Sequence, residues 1–371
     1  MTSVDLVVVG AGIVGLAHAW HAVRRGLSVA VVERDEHAAG ASVRNFGHGC
    51  FTAQDGVAFE YAMAAREEWL TLAREAGFWL RESGTLVVAR AEDELEALRE
   101  FAEIRDVELL NNPTTGSFND PSVGLLNNPS TLGAALLPLD IRVNPREAVH
   151  AIAALLAERG VAFHWSTNVL TVEPGLVRTS RGELHCRAAV VAVGHDVDRF
   201  FPDLAEEREI QRCQLRMLRV AHGGVIDPAV LTGFSMLRYE AFARCPSTEK
   251  VRERLTNDHP ELVEAGLNLM FTQLPDGSLT IGDTHHYSRT VDPYRPEDLD
   301  DLVLTETARL LGVPSLRVLE RWRGVYASAP EPFLTATPVP LTRAVSVTSG
   351  IGMTTALGLA PAVLDDLLQE M

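Results

Sequence analysis

The first 33 residues restrict the possible folds strongly. A short apolar run, Asp5 to Val9, leads directly into the spacing Gly10-x-Gly12-x-x-Gly15, which opens a helical stretch. A second apolar run follows and ends at Glu33. Glycines at this spacing allow a tight turn, close backbone approach to a pyrophosphate and close helix–strand packing. The helix N-terminus then presents N–H groups to the phosphates. The sequence therefore predicts a βαβ unit that binds a dinucleotide.

The acid at the end of the second strand indicates which dinucleotide is bound. A carboxylate in the position of Glu33 accepts hydrogen bonds from both ribose hydroxyls, which favours NAD or FAD over NADP. The chain has no second Gly-x-Gly-x-x-Gly after a strand, so a single dinucleotide is expected.

Charge and cysteine usage exclude several other classes of protein. The chain has 33 Lys and Arg against 50 Asp and Glu, a formal net charge of −17, which disfavours nucleic-acid binding. No two of its four cysteines form a CxxC pair, so zinc ribbons and iron–sulfur clusters are not expected. Scattered cysteines and the lack of a signal peptide predict a cytoplasmic protein with reduced thiols. No apolar run approaches the ~20 residues of a membrane span.

Four segments together resemble the D-amino-acid-oxidase-like (DAO-type) family of FAD-dependent oxidoreductases, which includes glycine oxidase and sarcosine oxidase. These segments are Gly10 to Arg34, the loop Gly40 to Gly47, the strand end Val190 to Gly194, and the C-terminal run Gly350 to Thr355. The resemblance implies one FAD per chain. Because no cysteine lies near Tyr326, where some relatives attach the flavin, the FAD is expected to be non-covalent.

The resemblance also implies a fold and its division into domains. We expect an α/β, glutathione-reductase-like fold with a Rossmann-type βαβ domain and an inserted α+β substrate lobe built on an antiparallel sheet. The FAD-binding domain is expected to comprise residues 1–80, 140–205 and 320–371. The substrate-binding lobe is expected to comprise residues 81–139 and 206–319.

Cofactor contacts follow residue by residue from the matching segments. The glycine loop, the Gly40 loop, a meander strand, the Val190 strand end and the start of the last helix are expected to surround the FAD. The residues are Gly10, Gly12, Ile13, Val14, Gly15, Glu33, Arg34, Ala41, Ser42, Arg44, Asn45, Val169, Gly194, Gly350, Gly352, Met353 and Thr354. In the family, the start of the last helix points its N–H groups at the flavin N1–C2=O region, where reduction places negative charge.

Candidates for the substrate site are fewer. The segment Arg321 to Tyr326 resembles the family's segment before the final flavin strand, where an arginine often binds the anionic group of the substrate. The resemblance therefore implies that Arg323 binds an acid group, a role that suits a guanidinium because it can bond two oxygens at once. His48 lies beside the Gly40 loop, and His286 and Tyr287 follow a strand that should line the cavity. His285 and His286 point to opposite faces of an extended strand, so only one can face the cavity and they cannot easily share a metal ion. No metal site is expected.

The expected reaction is FAD-dependent oxidation of a small anionic amine or amino acid. Hydride would pass from the carbon next to nitrogen to flavin N5, and water would hydrolyse the imine to a carbonyl. Dioxygen is the expected electron acceptor, giving hydrogen peroxide. The segments Ser42–His48 and Gly282–Tyr287 further resemble a DAO-type clade proposed to act in aminophosphonate breakdown. Three alternatives stay open: an amine dehydrogenase with another acceptor, an NAD(P)H-dependent flavin hydroxylase, and a non-catalytic flavoprotein.

Overall fold

The computed structural model describes residues 3–111 and 128–371. Residues 112–127, which belong to the expected substrate lobe, lie outside the described residues. The helices are α1 Ile13–Arg24, α2 Gly56–Ala76, α3 Glu92–Ile104, α4 Pro145–Glu158, α5 Pro202–Glu207, α6 Gly233–Met236, α7 Ser247–Asp258, α8 Pro260–Glu264, α9 Asp298–Leu311 and α10 Gly352–Leu368. None of them is long and apolar enough to cross a bilayer, as far as these described residues go.

The strands alternate with these helices along the chain. They are β1 Ser3–Val9, β2 Val29–Val32, β3 His48–Gly49, β4 Leu80–Arg81, β5 Thr85–Ala89, β6 Glu108–Asn111, β7 Gly133–Leu137, β8 Ile141–Val143, β9 Ala162–His164, β10 Val169–Glu173, β11 Leu176–Thr179, β12 Gly182–Val191, β13 Gln211–Val220, β14 Ala229–Leu231, β15 Met270–Gln273, β16 Leu279–Ser288, β17 Val318–Ala336 and β18 Thr342–Ser349.

The first lobe contains the predicted βαβ unit. Strands β9, β2, β1, β12 and β18 lie side by side and are all parallel. Helix α1 connects β1 to β2 and packs against α10, so the sheet face is covered by apolar residues that include Leu6, Leu16 and Leu357. A Cβ at Gly15 would lie 1.9 Å from the Gly10 carbonyl oxygen, so only glycine allows α1 to pack this closely on β1.

The second lobe is built on antiparallel pairing. Strand β13 pairs antiparallel with β16 on one side and β17 on the other, and β16 pairs antiparallel with β15. This lobe has an apolar core around Leu218 and Phe271, and a second core around Phe101 and Phe242 that it shares with Phe46 of the first lobe. Together with the first lobe, it confirms the predicted α/β architecture.

One strand belongs to both lobes. The 19 residues of β17 pair with β13 at their first half and with β18 at their second half. The two lobes therefore share one continuous hydrogen-bonded sheet. The expected domain boundary at residue 320 falls inside this strand.

Two local signals in the sequence are confirmed. Asn144 caps α4, accepting a hydrogen bond from the Arg146 N–H at 3.3 Å, and Pro145 occupies the first turn. The Pro275–Gly277 turn joins β15 to β16, with Gly277 at a φ of +83°.

Candidate cofactor and substrate site

A cavity of about 500 Å³ is lined by residues from both lobes. Nearly all the residues expected to contact FAD line it. They are Gly10, Gly12, Ile13, Val14, Glu33, Arg34, Ala41, Ser42, Arg44, Asn45, Val169, Gly194, Gly350, Gly352, Met353 and Thr354. Gly15 does not line the cavity, because it serves the close packing of α1 on β1.

The glycine loop leaves room at the start of α1. Gly10 has a φ of +104°, and a Cβ there would lie 2.4 Å from the Ala192 carbonyl oxygen. A Cβ at Gly12 would lie 2.9 Å from the Ser42 hydroxyl oxygen. That hydroxyl accepts a hydrogen bond from the Ile13 N–H at 2.9 Å, which ties the Gly40 loop to the helix start. These glycines and the N-terminus of α1 fit the pyrophosphate of a dinucleotide.

Glu33 is held next to the glycine loop. Its carboxylate accepts hydrogen bonds from the Ala11 N–H at 2.9 Å and from the Asp35 N–H at 3.1 Å. The side chain is half-buried in the cavity wall, where it can still accept a bond from a ribose hydroxyl. Arg34 pairs with Asp196 at 2.7 Å.

The Gly40 loop is shaped by Asn45. The Asn45 amide donates to the carbonyls of Ala41 at 3.0 Å and Ser42 at 2.9 Å, and its oxygen accepts the Gly47 N–H at 2.7 Å. Asn45 therefore uses most of its hydrogen-bonding capacity inside the loop. Although Asn45 lines the cavity, its side chain mainly stabilises the conformation of the loop.

The N-terminal end of α10 lines the cavity. The helix has no side-chain cap: the nearby Thr348 hydroxyl donates to the Glu331 carbonyl at 2.5 Å, and the Ser349 hydroxyl to the Pro332 carbonyl at 3.2 Å. Gly350, at a φ of +78°, turns the chain from β18 into the helix. The positive end of the helix dipole lies at the cavity wall, where an anionic group would be stabilised.

The second lobe contributes polar residues to the site, of which Arg238 and Asn268 belong to none of the sequence motifs described above. Arg238, Asn268 and Asp283 line the cavity, together with His285 and Tyr326. Arg238 follows α6 and is exposed along the cavity wall. Its guanidinium donates to the Tyr287 hydroxyl at 2.8 Å, and among the described residues it forms no salt bridge. A cation without a carboxylate partner suits an anionic ligand.

Asp283 and His285 lie next to each other in the cavity wall. The Asp283 side chain is almost fully buried, and its Oδ2 lies 3.7 Å from His285 Nε2. Burial raises the pKa of Asp283 to about 7, although Arg238 and the Asn268 side chain act in the opposite direction. Burial and Arg238 lower the pKa of His285 to about 3, so this imidazole is neutral at physiological pH. Its Nδ1–H donates to the Gly266 carbonyl at 2.8 Å.

Three of the expected substrate-site residues lie outside the cavity lining. Since side chains alternate along β16, Asp283 and His285 face the cavity and His286 does not, so His285 replaces His286 as the candidate. Tyr287 is 41% exposed and contacts the cavity-lining residues Arg238, through a hydrogen bond, and His285, through ring stacking. Arg323 is exposed on β17, where it donates to the Pro293 carbonyl at 2.9 Å and lines an arginine-rich depression that adjoins the cavity.

His48 does line the cavity, within a group the sequence did not indicate. Its Nε2 lies 2.6 Å from the Thr85 hydroxyl. Ligand-type atoms of His48, Cys50 and Asp140 all lie within 4.8 Å of one another, and all three residues are buried. One oxygen of Asp140 already accepts bonds from the N–H groups of Phe51 and Thr52 and from the Thr52 hydroxyl. The three residues pack together in the cavity wall, next to the place where β3 pairs with β8.

Comparison with known proteins also points to an FAD-binding oxidoreductase. The sequence model of the DAO family, FAD dependent oxidoreductase, matches residues 5–365. A subunit of the opine oxidase of Rhizobium meliloti is 29% identical over 225 residues, 54% of this chain and 59% of that protein. Glycine oxidase of Bacillus licheniformis is 26% identical over 234 residues, 60% of this chain and 62% of that protein. These alignments span less than two thirds of either relative.

Solved structures resemble the whole chain. L-proline dehydrogenase from P. horikoshii superposes with a TM-score of 0.79 at 18% identity, covering 99% of this chain and 94% of that one. Glycine oxidase from Geobacillus kaustophilus superposes with a TM-score of 0.76 at 17% identity, covering 100% and 95%. At these identities the likeness establishes the fold alone. Since the family match extends over nearly the full length, the chain belongs to the DAO family of FAD-dependent oxidoreductases.

Proposed function

We propose that this protein uses one non-covalently bound FAD to oxidise a small amine or amino acid that carries an acid group. The observation that carries the proposal is the composition of the cavity. The glycine loop at Gly10 and Gly12 and the guanidinium of Arg238 line the same space. A carboxylate or a phosphonate fits the planar fork of that arginine.

The cofactor would be held by residues of the first lobe. The N-terminus of α1 would hold the pyrophosphate, Glu33 the ribose, and the N-terminus of α10 the anionic edge of the flavin ring. When bound, FAD accepts a hydride from the carbon attached to nitrogen, and water hydrolyses the resulting imine to a carbonyl compound. The chain's own part is to orient the amine and to exclude water from the cavity.

Arg238 takes over the anchoring role that the sequence had predicted for Arg323. Its hydrogen bond goes to the neutral phenol of Tyr287, and burial raises the pKa of that phenol. An acid group bound at Arg238 would therefore meet a full positive charge. His48 and His285 complete this part of the wall as neighbours of the substrate.

For the substrate, we infer primary or N-methyl amines that bear a phosphonate or a carboxylate. The resemblance of Ser42–His48 and Gly282–Tyr287 to the aminophosphonate clade supports a phosphonate. For the acceptor, we infer dioxygen. The relatives named above include both oxidases and a dehydrogenase, so a separate acceptor is the second candidate.

An anaerobic substrate panel tests the proposal. Glycine and its N-methyl form sarcosine, and aminomethylphosphonate and its N-methyl form, would each be mixed with the FAD-loaded protein. Bleaching of the flavin absorbance would be recorded. We expect bleaching by at least one acid-bearing amine and none by neutral alcohols or sugars. Rapid bleaching by NADPH without an amine would reject the proposal in favour of a flavin hydroxylase. Hydrogen peroxide release after admitting air then separates an oxidase from a dehydrogenase.

A further inference from the structure

We propose that Asp283 recognises the amino nitrogen of the substrate and accepts its proton, so that Arg238 and Asp283 hold the two ends of a zwitterion. This inference rests on the proposed function and assigns a residue to the amine. It makes Asp283 a group that touches the substrate.

The backbone around Asp283 holds the carboxyl group in place. The Asp283 N–H donates to the Asn268 carbonyl at 2.8 Å, and the Asn268 N–H donates back to the Asp283 carbonyl at 2.8 Å. Strand β16 continues from there as the partner of β13. The carboxyl group thus projects from a rigid part of the cavity wall rather than from a loop.

Two acceptor oxygens in this wall lack donors. Asp283 Oδ1 and Asn268 Oδ1 are buried and have no hydrogen-bond partner among the described residues. Buried polar atoms are nearly always paired, and leaving one unpaired costs about 1–3 kcal/mol. Both residues line the cavity, so these oxygens belong to the part of the wall that a ligand with N–H groups would contact. An amine supplies such donors, whereas a hydroxyl or a carboxylate would leave at least one acceptor unpaired.

Besides the Asn268 side chain, whose hydrogen bonding lowers the pKa of Asp283, four titratable or charged groups face this carboxyl group. They are Arg238, Tyr239, Cys213 and His285. His285 uses its Nδ1–H on the Gly266 carbonyl, so its neutral ring turns a lone pair toward Asp283. Burial raises the pKa of the Tyr239 phenol and of the Cys213 thiol, which keeps both neutral. Arg238 is the one facing group here that carries a charge at neutral pH, and the two side chains form no salt bridge.

This setting gives the amine the protonation state that the reaction needs. A small amine enters neutral solution as an ammonium ion, and loss of hydride from carbon requires the free lone pair on nitrogen. Burial raises the pKa of Asp283 to about 7, so near neutral pH the carboxylate can take one proton from the ammonium. The N–H bond breaks, an O–H bond forms on Asp283, and no electrons are exchanged in this step.

The first test needs no turnover and no variant. Acetate, which has an acid group but no amine, would be titrated into the FAD-loaded protein from pH 6 to 8, with the flavin absorbance as the signal of binding. We expect acetate to bind about tenfold more weakly at pH 8, because an ionised Asp283 repels a second anion in the same cavity. An affinity that is independent of pH over this range would overturn the proposal.

Two variants assign that pH dependence. In Asp283→Asn, which keeps the shape but cannot ionise, the acetate affinity should no longer change between pH 6 and 8. Asp301→Asn removes one exposed carboxylate from α9 in the same lobe and should behave as the parent. If Asp283→Asn keeps the parental pH dependence, another group is responsible and the proposal is wrong.

The second test follows the proton during reduction. With any amine that bleaches the flavin, Asp283→Asn should slow reduction at pH 7 by about a hundredfold, within the range that a proton acceptor contributes. The rate should recover toward the parental value near pH 10, where the amine enters already deprotonated. An equal loss at every pH would mean a purely structural role and would contradict the proposal. A panel in which no amine reacts would reject the proposed function and leave the acetate test intact.

Discussion

Glu33 Oε2 lies 2.9 Å from the backbone nitrogen of Ala11, so the acid that ends β2 is fastened to the loop between β1 and α1. The bond places a carboxylate at the edge of the glycine loop before any ligand arrives. Part of its hydrogen-bonding capacity remains free for a ribose, since each carboxylate oxygen can accept two bonds.

The first prediction concerns this carboxylate. Glu33→Ala should weaken FAD binding by roughly 1–3 kcal/mol, because charged hydrogen bonds to the ribose are lost. Flavin fluorescence quenching on titration of the apoprotein measures the change. Glu36→Ala, which removes an exposed acid nearby that does not line the cavity, is the matched control and should bind FAD normally. Unchanged affinity in Glu33→Ala would show that another residue holds the ribose.

The second prediction compares two arginines. Arg238→Ala should raise the Michaelis constant for the acid-bearing amine by about a hundredfold, the loss expected for a charge-assisted bidentate contact. Arg238→Lys should restore only part of the affinity, because the ammonium group of lysine cannot form the two parallel hydrogen bonds that a guanidinium makes to an acid group. Arg323→Ala should leave the steady-state constants close to normal, since Arg323 lies outside the cavity lining. If Arg323→Ala raised the Michaelis constant and Arg238→Ala did not, Arg323 would be the residue that binds the acid group.

The third prediction concerns stability and pH. The folded protein holds Asp283 at a pKa of about 7, above the ordinary 3.8. The neutral acid is therefore favoured by folding, and its contribution to stability is lost as pH rises from about 4 to 7. Asp283→Asn should be more stable than the parent at pH 8, on the order of 1–4 kcal/mol, and nearly equal to it at pH 4. Denaturant unfolding of the FAD-loaded proteins at both pH values measures this, and a deficit at pH 8 would contradict it.

The fourth prediction concerns His285. Because its pKa is lowered to about 3, the imidazole stays neutral from pH 5 to 9. His285→Gln should therefore leave the shape of the pH profile of flavin reduction unchanged, and the rate should fall by less than about a hundredfold. Stopped-flow reduction across that pH range provides the measurement. A titration step that disappears in the variant would assign the step to His285.

The fifth prediction concerns flavin attachment. All four cysteines are free and buried, and burial raises the pKa of each thiol, so none is a ready nucleophile at neutral pH. Acid precipitation should release the yellow colour into the supernatant. Colour retained in the pellet would show a covalent bond, with His48 and Cys50 as the first residues to examine by peptide mapping.

The cofactor half of the site could be predicted because its signals are local in the chain. The glycines of the first loop, Glu33 and the start of α10 each combine a short motif with the element beside it. The substrate half depends on contacts between distant segments. Asn268 and Asp283 meet only because β15 and β16 pair, and no sequence motif marks Arg238. The alternation of side chains along β16 follows from the sequence, but which of its two faces is turned to the cavity depends on how the strand packs in the folded protein.

The strand that both lobes share limits how the protein can work and how it can be altered. Hinge opening of the two lobes as rigid halves would have to break backbone hydrogen bonds of β17 with β13 or β18. We therefore expect exchange of substrate and product to depend on loops and side chains at the mouth of the cavity. For the same reason, a chimera that takes its substrate lobe from a relative must keep all of β17 from one parent. A junction at residue 320 would fall inside the strand whose backbone hydrogen bonds with β13 and β18 join the two lobes.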